Sequence, residues 1–385
     1  MTMQSLRSDF IQRLKPNNMQ TITSNNANAV QNNANYSKKH FAIIPFFVIL
    51  IFIMASTGCK KTTTTTTSYQ KVNLVADSAG WTGARVDTNL KNAWGIALYP
   101  NGNFWISANH ANAAVIYDRN GVQQLAPVML NTGGAPSGAV YNSTADFRGS
   151  KVIFANESGV ISAYITGAGD STVIVADRSA TGTVYKGLAI ASDGGANFLY
   201  ATDFHNGKVD VFDANFNYVT TKPFVDPSTT AVIPSNFAPF NIYSTGGQLY
   251  VTYAMHKAPD NMDDQKGAGN GYVNVFNPNG TFVKRFASQG TLNSPWAIAA
   301  APSGFGLGDG MILIGNFGDG RINVFDANGN YKSQLMNSGT PIAIDGLWGL
   351  QFPVNGVPAG DQNQLFFTAG PNEENHGLFG YLSKM

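Results

Sequence analysis

All three glutamates of this 385-residue chain (Glu157, Glu373, Glu374) and four of its five histidines (His110, His205, His256, His376) fall in a few short polar segments. Carboxylates and imidazoles move protons near neutral pH when their surroundings tune them, so Glu157, His205, Glu373 and His376 are the candidates for general acid–base work. A segment rich in oxygen ligands, from Met255 to Gly271, carries His256, Asp260, Asp263, Asp264 and Lys266. Asp260, Asp263 and Asp264 could hold a hard cation such as calcium. Their spacing is not that of an EF-hand loop, and a solvated surface loop is the alternative.

Other residues suggest binding. Asn109, Asn156, Asp203 and Asn316 recur just before these polar segments. Side chains of that type either cap turns through nearby backbone amides or line a ligand pocket. Asp319 follows Asn316 closely, while Tyr253 and Ala369 break the series. Lys186 is a lone charge at a position otherwise held by apolar or small residues. It is either a ligand contact near an axis or one half of a structural ion pair.

Composition removes several classes. Lys and Arg number 24 against 23 Asp and Glu, with pI near 7.8, which is not the basic surface that phosphate neutralisation needs, so no nucleic-acid partner is expected. The single Cys rules out a disulfide framework and a multi-Cys zinc site. No Walker loop, HExxH or G-x-S-x-G nucleophile elbow occurs.

The elements that must position these residues repeat along the chain. Six anchors lie inside short apolar runs: Trp94-Gly95-Ile96, Ser137-Gly138-Ala139, Lys186-Gly187-Leu188, Phe240-Asn241-Ile242, Trp296-Ala297-Ile298 and Trp348-Gly349-Leu350. They recur at intervals of roughly 50 residues, the spacing of propeller blades. A second apolar run follows each anchor, such as Phe104-Trp105-Ile106 or Leu365-Phe366-Phe367, and then a turn and a third run such as Lys208–Phe212. Runs this short, bounded by Gly, Asn, Asp and Pro, are strands.

Fourth strands are expected at Val122–Leu130, Thr172–Ala176, Tyr218–Val225, Phe282–Phe286 and Tyr331–Leu335. The sixth repeat ends after its third strand, Leu378–Leu382, and Gln70–Val75 is left to complete it. The expected fold is all-β: a six-bladed β-propeller of four-stranded antiparallel blades over residues 69–385, closed by the N-terminal strand. Successive antiparallel strands reverse direction, so the starts of the inner strands and the turns between second and third strands share one face. The glutamates and the four histidines all belong to that face.

Residues 1–58 look like an address. Lys38 and Lys39 precede an apolar run from Phe41 to Met54, then Ala55-Ser56-Thr57-Gly58-Cys59, the pattern of a lipoprotein signal. The run is short for a membrane span of roughly 20 residues, although an uncleaved anchor helix is the alternative. Lipidation at Cys59, a Thr-rich tether over 59–68 and a cell-envelope location, periplasmic or at the outer-membrane surface, are the resulting expectations.

The stretches Asn92-Ala93-Trp94-Gly95, Tyr185-Lys186-Gly187-Leu188-Ala189, Gly315-Asn316-Phe317-Gly318-Asp319-Gly320 and Ile344-Asp345-Gly346-Leu347-Trp348-Gly349-Leu350 carry a resemblance. The chain resembles NHL-repeat-like six-bladed propellers, and among them a family of exported bacterial proteins. The resemblance spans essentially residues 70–385. It implies the fold and export, and no reaction.

Two functions remain open. In one, a lipid-tethered module binds a glycan, peptide or protein on the shared face through Asn109, His110, Asn156, Glu157, Lys186, Asp203, His205, Tyr253, His256, Asn316, Asp319, Glu373 and His376. In the other, a metal-dependent hydrolase or lyase holds a cation, calcium being the natural one, near the axis. Binding ranks first because Tyr253 and Ala369 break the column that would supply axial ligands.

Overall fold

The computed structural model describes residues 67–385 except 132, 168, 355 and 357. Six antiparallel blades surround one axis, and each runs from an inner strand to an outer one. The inner strands are Ala93–Leu98, Pro136–Tyr141, Tyr185–Asp193, Phe237–Thr245, Pro295–Ala300 and Leu347–Gln351. The sixth blade is completed by Tyr69–Ala76, antiparallel to Leu378–Lys384, with Tyr69 opposite Lys384 and Ala76 opposite Leu378. The only helical elements among the described residues are three-residue 3-10 turns.

Every inner strand breaks register at its anchor. The shifts fall between Ala93 and Ile96, Pro136 and Ala139, Tyr185 and Leu188, Pro239 and Asn241, Pro295 and Ala297, and Leu347 and Leu350. A bulge of this kind bends the strand and leaves a backbone amide outside the ladder. In three of the blades a threonine on the second strand takes up that amide. Thr202 Oγ1 accepts from Gly187 N at 2.7 Å and donates to Phe240 O of the next blade at 3.1 Å. Thr252 accepts from Asn241 N at 3.0 Å, and Thr368 accepts from Gly349 N at 2.8 Å while donating to Trp94 O.

The bulges also force small residues. A Cβ on Gly187 would lie 2.1 Å from Asn241 Oδ1, and one on Gly95 would lie 2.4 Å from Ser137 O. Anchors Gly95, Gly138, Gly187 and Gly349 therefore mark the level where neighbouring blades approach most closely. Between blades the core is aliphatic and aromatic, for example Leu74, Ile96, Phe104, Ile106, Phe366 and Phe379 at the seam of the sixth and first blades.

One boundary differs from expectation by more than two residues. The third blade's outer strand is only Tyr218–Val219, not Tyr218–Val225. Pro223 has no N–H to give a ladder, and Phe224 turns into the left-handed region (φ 47°) to bury its ring against Tyr200 and Phe276.

Candidate functional site

Where each second strand ends, the next backbone N–H bonds the carbonyl preceding its own inner strand. This holds for Asn109 (to Asn92 O, 3.1 Å), Glu157 (to Ala135 O, 3.0 Å), Phe204 (to Val184 O, 2.9 Å), His256 (to Asn236 O, 2.8 Å), Phe317 (to Ser294 O, 2.9 Å) and Gly370 (to Gly346 O, 2.8 Å). These residues form one column, and the anchors supply a second: Trp94, Ser137, Lys186, Phe240, Trp296 and Trp348. Together they make a two-sided centre on the face expected from the sequence.

One side is aromatic. Trp348 stacks between Trp94 and Phe317 with centroids 3.7 Å apart on each side, and Trp296, Phe240 and Phe204 complete the cluster. The other side is charged. Lys186 is 1 % exposed, and its Nζ meets Glu157 Oε1 and lies 3.5 Å from Asp263 Oδ1. The same ammonium is 5.0 Å from the Trp94 ring centroid. Asn109 Nδ2 donates to Glu157 Oε2 at 3.1 Å, and Asn92 Nδ2 donates to Glu374 Oε2 at 2.9 Å and to Asn109 Oδ1 at 3.2 Å. Trp348 Nε1 donates to Asn92 Oδ1 at 3.0 Å, which joins the two sides.

An unusual turn delivers Glu374. Asn372, Glu373 and Glu374 all have positive φ (56°, 53° and 66°). Consecutive left-handed residues with side chains are costly, and they persist only where their surroundings hold them. Asp345 Oδ2 accepts from Asn372 N at 2.8 Å, Asn375 Nδ2 donates to Asn372 O at 2.8 Å, and Glu374 N bonds Gly370 O at 3.1 Å.

Electrostatics follow from the crowding. Burial alone would lower Lys186, but Glu157 and Asp263 beside it hold its ammonium above the ordinary lysine range. Burial pushes Glu374 up to about 7, with the negative charges of Glu157, Asp263 and Asp264 adding to that rise and Lys186 opposing it. Burial likewise raises Asp264, against the pull of Ser294, Lys186 and Lys266. Asp264 Oδ2 is buried without a hydrogen-bond donor.

The remaining candidates separate. Asn156 accepts from Ser158 N (2.9 Å) and donates to Gly134 O (2.7 Å), and Asn316 donates to Thr291 O (2.8 Å) and Asp319 (3.0 Å), so both cap turns. Asp319 is exposed and accepts from Arg321 N. Asp203 is buried among Thr183, Val184 N, Asn206 and Lys208. Asn109 stands one register step beyond these three, because Ala108 pairs where Asn156, Asp203 and Asn316 pair in their blades. That step takes it to the centre.

Tyr253 packs between blades with Phe237 and Tyr272. His256 Nε2 bonds Phe204 O at 2.7 Å. His205 is half-buried with Nδ1 unpartnered, and its ring lies 3.7 Å from the position a Cβ on Gly182 would take. His110 and Glu373 are exposed. His376 pairs with Asp77 at 3.0 Å and packs on Trp81, beside the ring closure. Asp260 accepts from Met262 N in its own turn, Asp263 faces Lys186, and Asp264 lies within the field of Lys186 and Lys266. Among the described residues no three His, Cys, Asp or Glu side chains gather as metal ligands would. Sequence reasoning chose Glu373 over Glu374 and missed Asn92. No residue-type pattern distinguishes adjacent glutamates inside a left-handed turn.

Beneath the aromatic layer an axial cavity of about 310 Å³ extends from the anchor ring toward the other face, reaching Ser143, Ser244 and Val354. Among the described residues no charged side chain lines it. Cys59 and the segment before it lie outside the described residues.

No protein-family profile matches the chain. It is 36 % identical over 331 residues to an uncharacterised protein of Acanthamoeba polyphaga mimivirus, covering 82 % of this chain and 80 % of that one. A second uncharacterised mimivirus protein is 34 % identical over 334 residues, covering 82 % and 86 %. Among solved structures, the GH93 α-L-arabinofuranosidase of Fusarium graminearum, in complex with arabinobiose, aligns with a TM-score of 0.52 at 11 % identity, covering 82 % of this chain and 97 % of that one. At that identity the likeness shows the fold alone.

Proposed function

This chain belongs to one family with the two mimivirus proteins, and for it we propose a binding function, with the ligand held at the axial centre formed by Asn92, Asn109, Glu157, Lys186, Asp263 and Glu374. The observation that carries this reading is Lys186, a fully buried charge in a column of otherwise apolar or small residues, held by carboxylates above an aromatic floor. Placing an ion there costs stability that Trp or Phe at the same position would not cost. The strained turn that brings Glu374 beside it adds a second such cost. Charged and amide groups over aromatic rings suit a small polar ligand with several hydrogen-bonding groups, the chemistry a glycan or a peptide presents.

The metal-dependent hydrolase or lyase draws no support from this centre. Its carboxylates already surround an ammonium, and Asp260 lies apart from Asp263 and Asp264 in use. Lipid attachment at Cys59 and a cell-envelope location belong to the same proposal: the lipid would tether the binding face outside a membrane. Mass spectrometry of the purified chain's N-terminus tests it, with a diacylglyceryl-modified Cys59 expected and an unmodified N-terminal segment overturning it.

Glycan and peptide arrays probed with the full chain test the binding reading. A retained ligand should weaken at least tenfold with Glu157→Gln or Glu374→Gln, since a hydrogen bond to a charged group contributes about 1.5–3 kcal/mol. Asp361→Asn, at an exposed turn remote from the centre, should bind normally. Equal binding by all of these variants would place the site elsewhere.

A further inference from the structure

Trp296 is 5 % exposed, and its Nε1 is buried with no acceptor. Indole only donates, so a buried N–H left unpaired is a cost the fold carries unless something supplies an acceptor. Trp94 Nε1 lacks an acceptor too, but Trp296 is the one ring of the aromatic layer, among the described residues, that lines the axial cavity. It stands edge-on to Trp94 and Trp348 and closes the cavity's inner end. Asn241, at the same level and 8 % exposed, also lines it. Its Nδ2 gives one hydrogen to Trp296 O at 2.7 Å and its Oδ1 accepts from Ile242 N at 2.8 Å. An amide nitrogen has two hydrogens, and among the described residues no acceptor takes the second.

Beyond these donors the walls are aliphatic, formed by Ile96, Leu98, Leu188, Ile242, Ile298 and Leu350. Tyr141, Ser143 and Ser244 bring hydroxyls to the outer end. A cavity of about 150 Å³ accepts benzene. The volume here, about 310 Å³, therefore has room for a ring with a polar substituent. An ion would lose its hydration against walls that offer no countercharge. A hydrocarbon would leave the inner donors unpaired. Water would satisfy the donors and keep the aliphatic walls wet, a cost that a partly apolar molecule removes.

We infer that the axial cavity is a second binding site, for a small neutral molecule with an apolar body and a carbonyl oxygen at its inner end. That oxygen accepts from Trp296 Nε1 and Asn241 Nδ2. The site does not depend on the charged centre around Lys186, from which the aromatic layer separates it.

Three probes with the same number of heavy atoms test it on the full chain by calorimetry and NMR: acetophenone, α-methylstyrene and benzoate. Acetophenone should bind at least about fivefold more tightly than α-methylstyrene, which has its shape and lacks its oxygen. Benzoate should not bind. One of the five tryptophan indole N–H signals should move downfield with the ketone and stay in place with the hydrocarbon. Trp296→Phe keeps a ring and removes the donor, so it should lower the ketone's affinity to that of the hydrocarbon and abolish the moving signal. If that variant fails to fold, the indole signal of the unaltered chain decides. Equal affinity for the two neutral probes, binding of benzoate, or no binding of acetophenone at millimolar concentration would overturn the inference, the last leaving water as the occupant.

Discussion

Glu374 makes the stability of the fold respond to pH. Its carboxyl moves from an ordinary 4.5 to about 7 on folding, chiefly by burial. The folded chain therefore holds a proton that the unfolded chain releases between those values, so the stabilisation is full below about 4.5 and is lost as pH rises through about 7. Melting temperature should fall across that window. Glu374→Gln, which keeps the side chain neutral at every pH, should flatten the fall and be more stable than the parent by about 1–3 kcal/mol at about pH 8. Parallel melting curves for the two proteins would show that another group carries the dependence. Lys186 behaves oppositely, being the countercharge. Lys186→Met leaves Glu157 and Asp263 without it and should lose about 3 kcal/mol at neutral pH, regaining part of that loss in acid, as thermal melts would show.

At the scale of elements, the bulge with its hydroxyl determines how blades meet. Thr202 bridges Gly187 N and Phe240 O, so it serves the bulge of its own blade and the backbone of the next. Thr202→Val preserves shape and removes both partners, leaving a buried amide and carbonyl unpaired at a cost of about 1–3 kcal/mol. Gly187→Ala should cost about as much or more through collision with Asn241, while Gly80→Ala, whose Cβ would meet nothing within 4 Å, should be neutral. Denaturant melts of the three variants rank these costs. The anchors themselves were plain in the sequence because short apolar runs interrupted by a small residue recur six times. The bulge was not, since register is a relation between two strands and leaves no mark in either alone. That is why Asn109 was grouped with the turn-capping Asn156 and Asn316, one position short of its place at the axis.

For the molecule as a whole, ring closure was legible by elimination: the sixth blade lacked an outer strand and the N-terminal run had no other partner. The site was legible only in part. Burial and contact across blades decide that Lys186 meets Glu157 from the second blade and Asp263 from the fourth, and sequence spacing holds no information about either. Closure has its own consequence. Removing residues up to 76 would strip Leu74, Val75 and Ala76 from the core and leave Leu378–Lys384 as an open edge. Such a chain should lose its single cooperative transition and aggregate. Met385 N already bonds Ser68 O at 2.9 Å, so the strand's start lies beside the chain's end. Relocating Tyr69–Ala76 behind Met385 through a short Gly-containing turn would re-form the same pairing as a hairpin. That rearranged chain should recover one cooperative melt, and its failure alongside the truncated one would mean that the connection from Ala76 to Ala93, not the strand pairing, holds the ring shut.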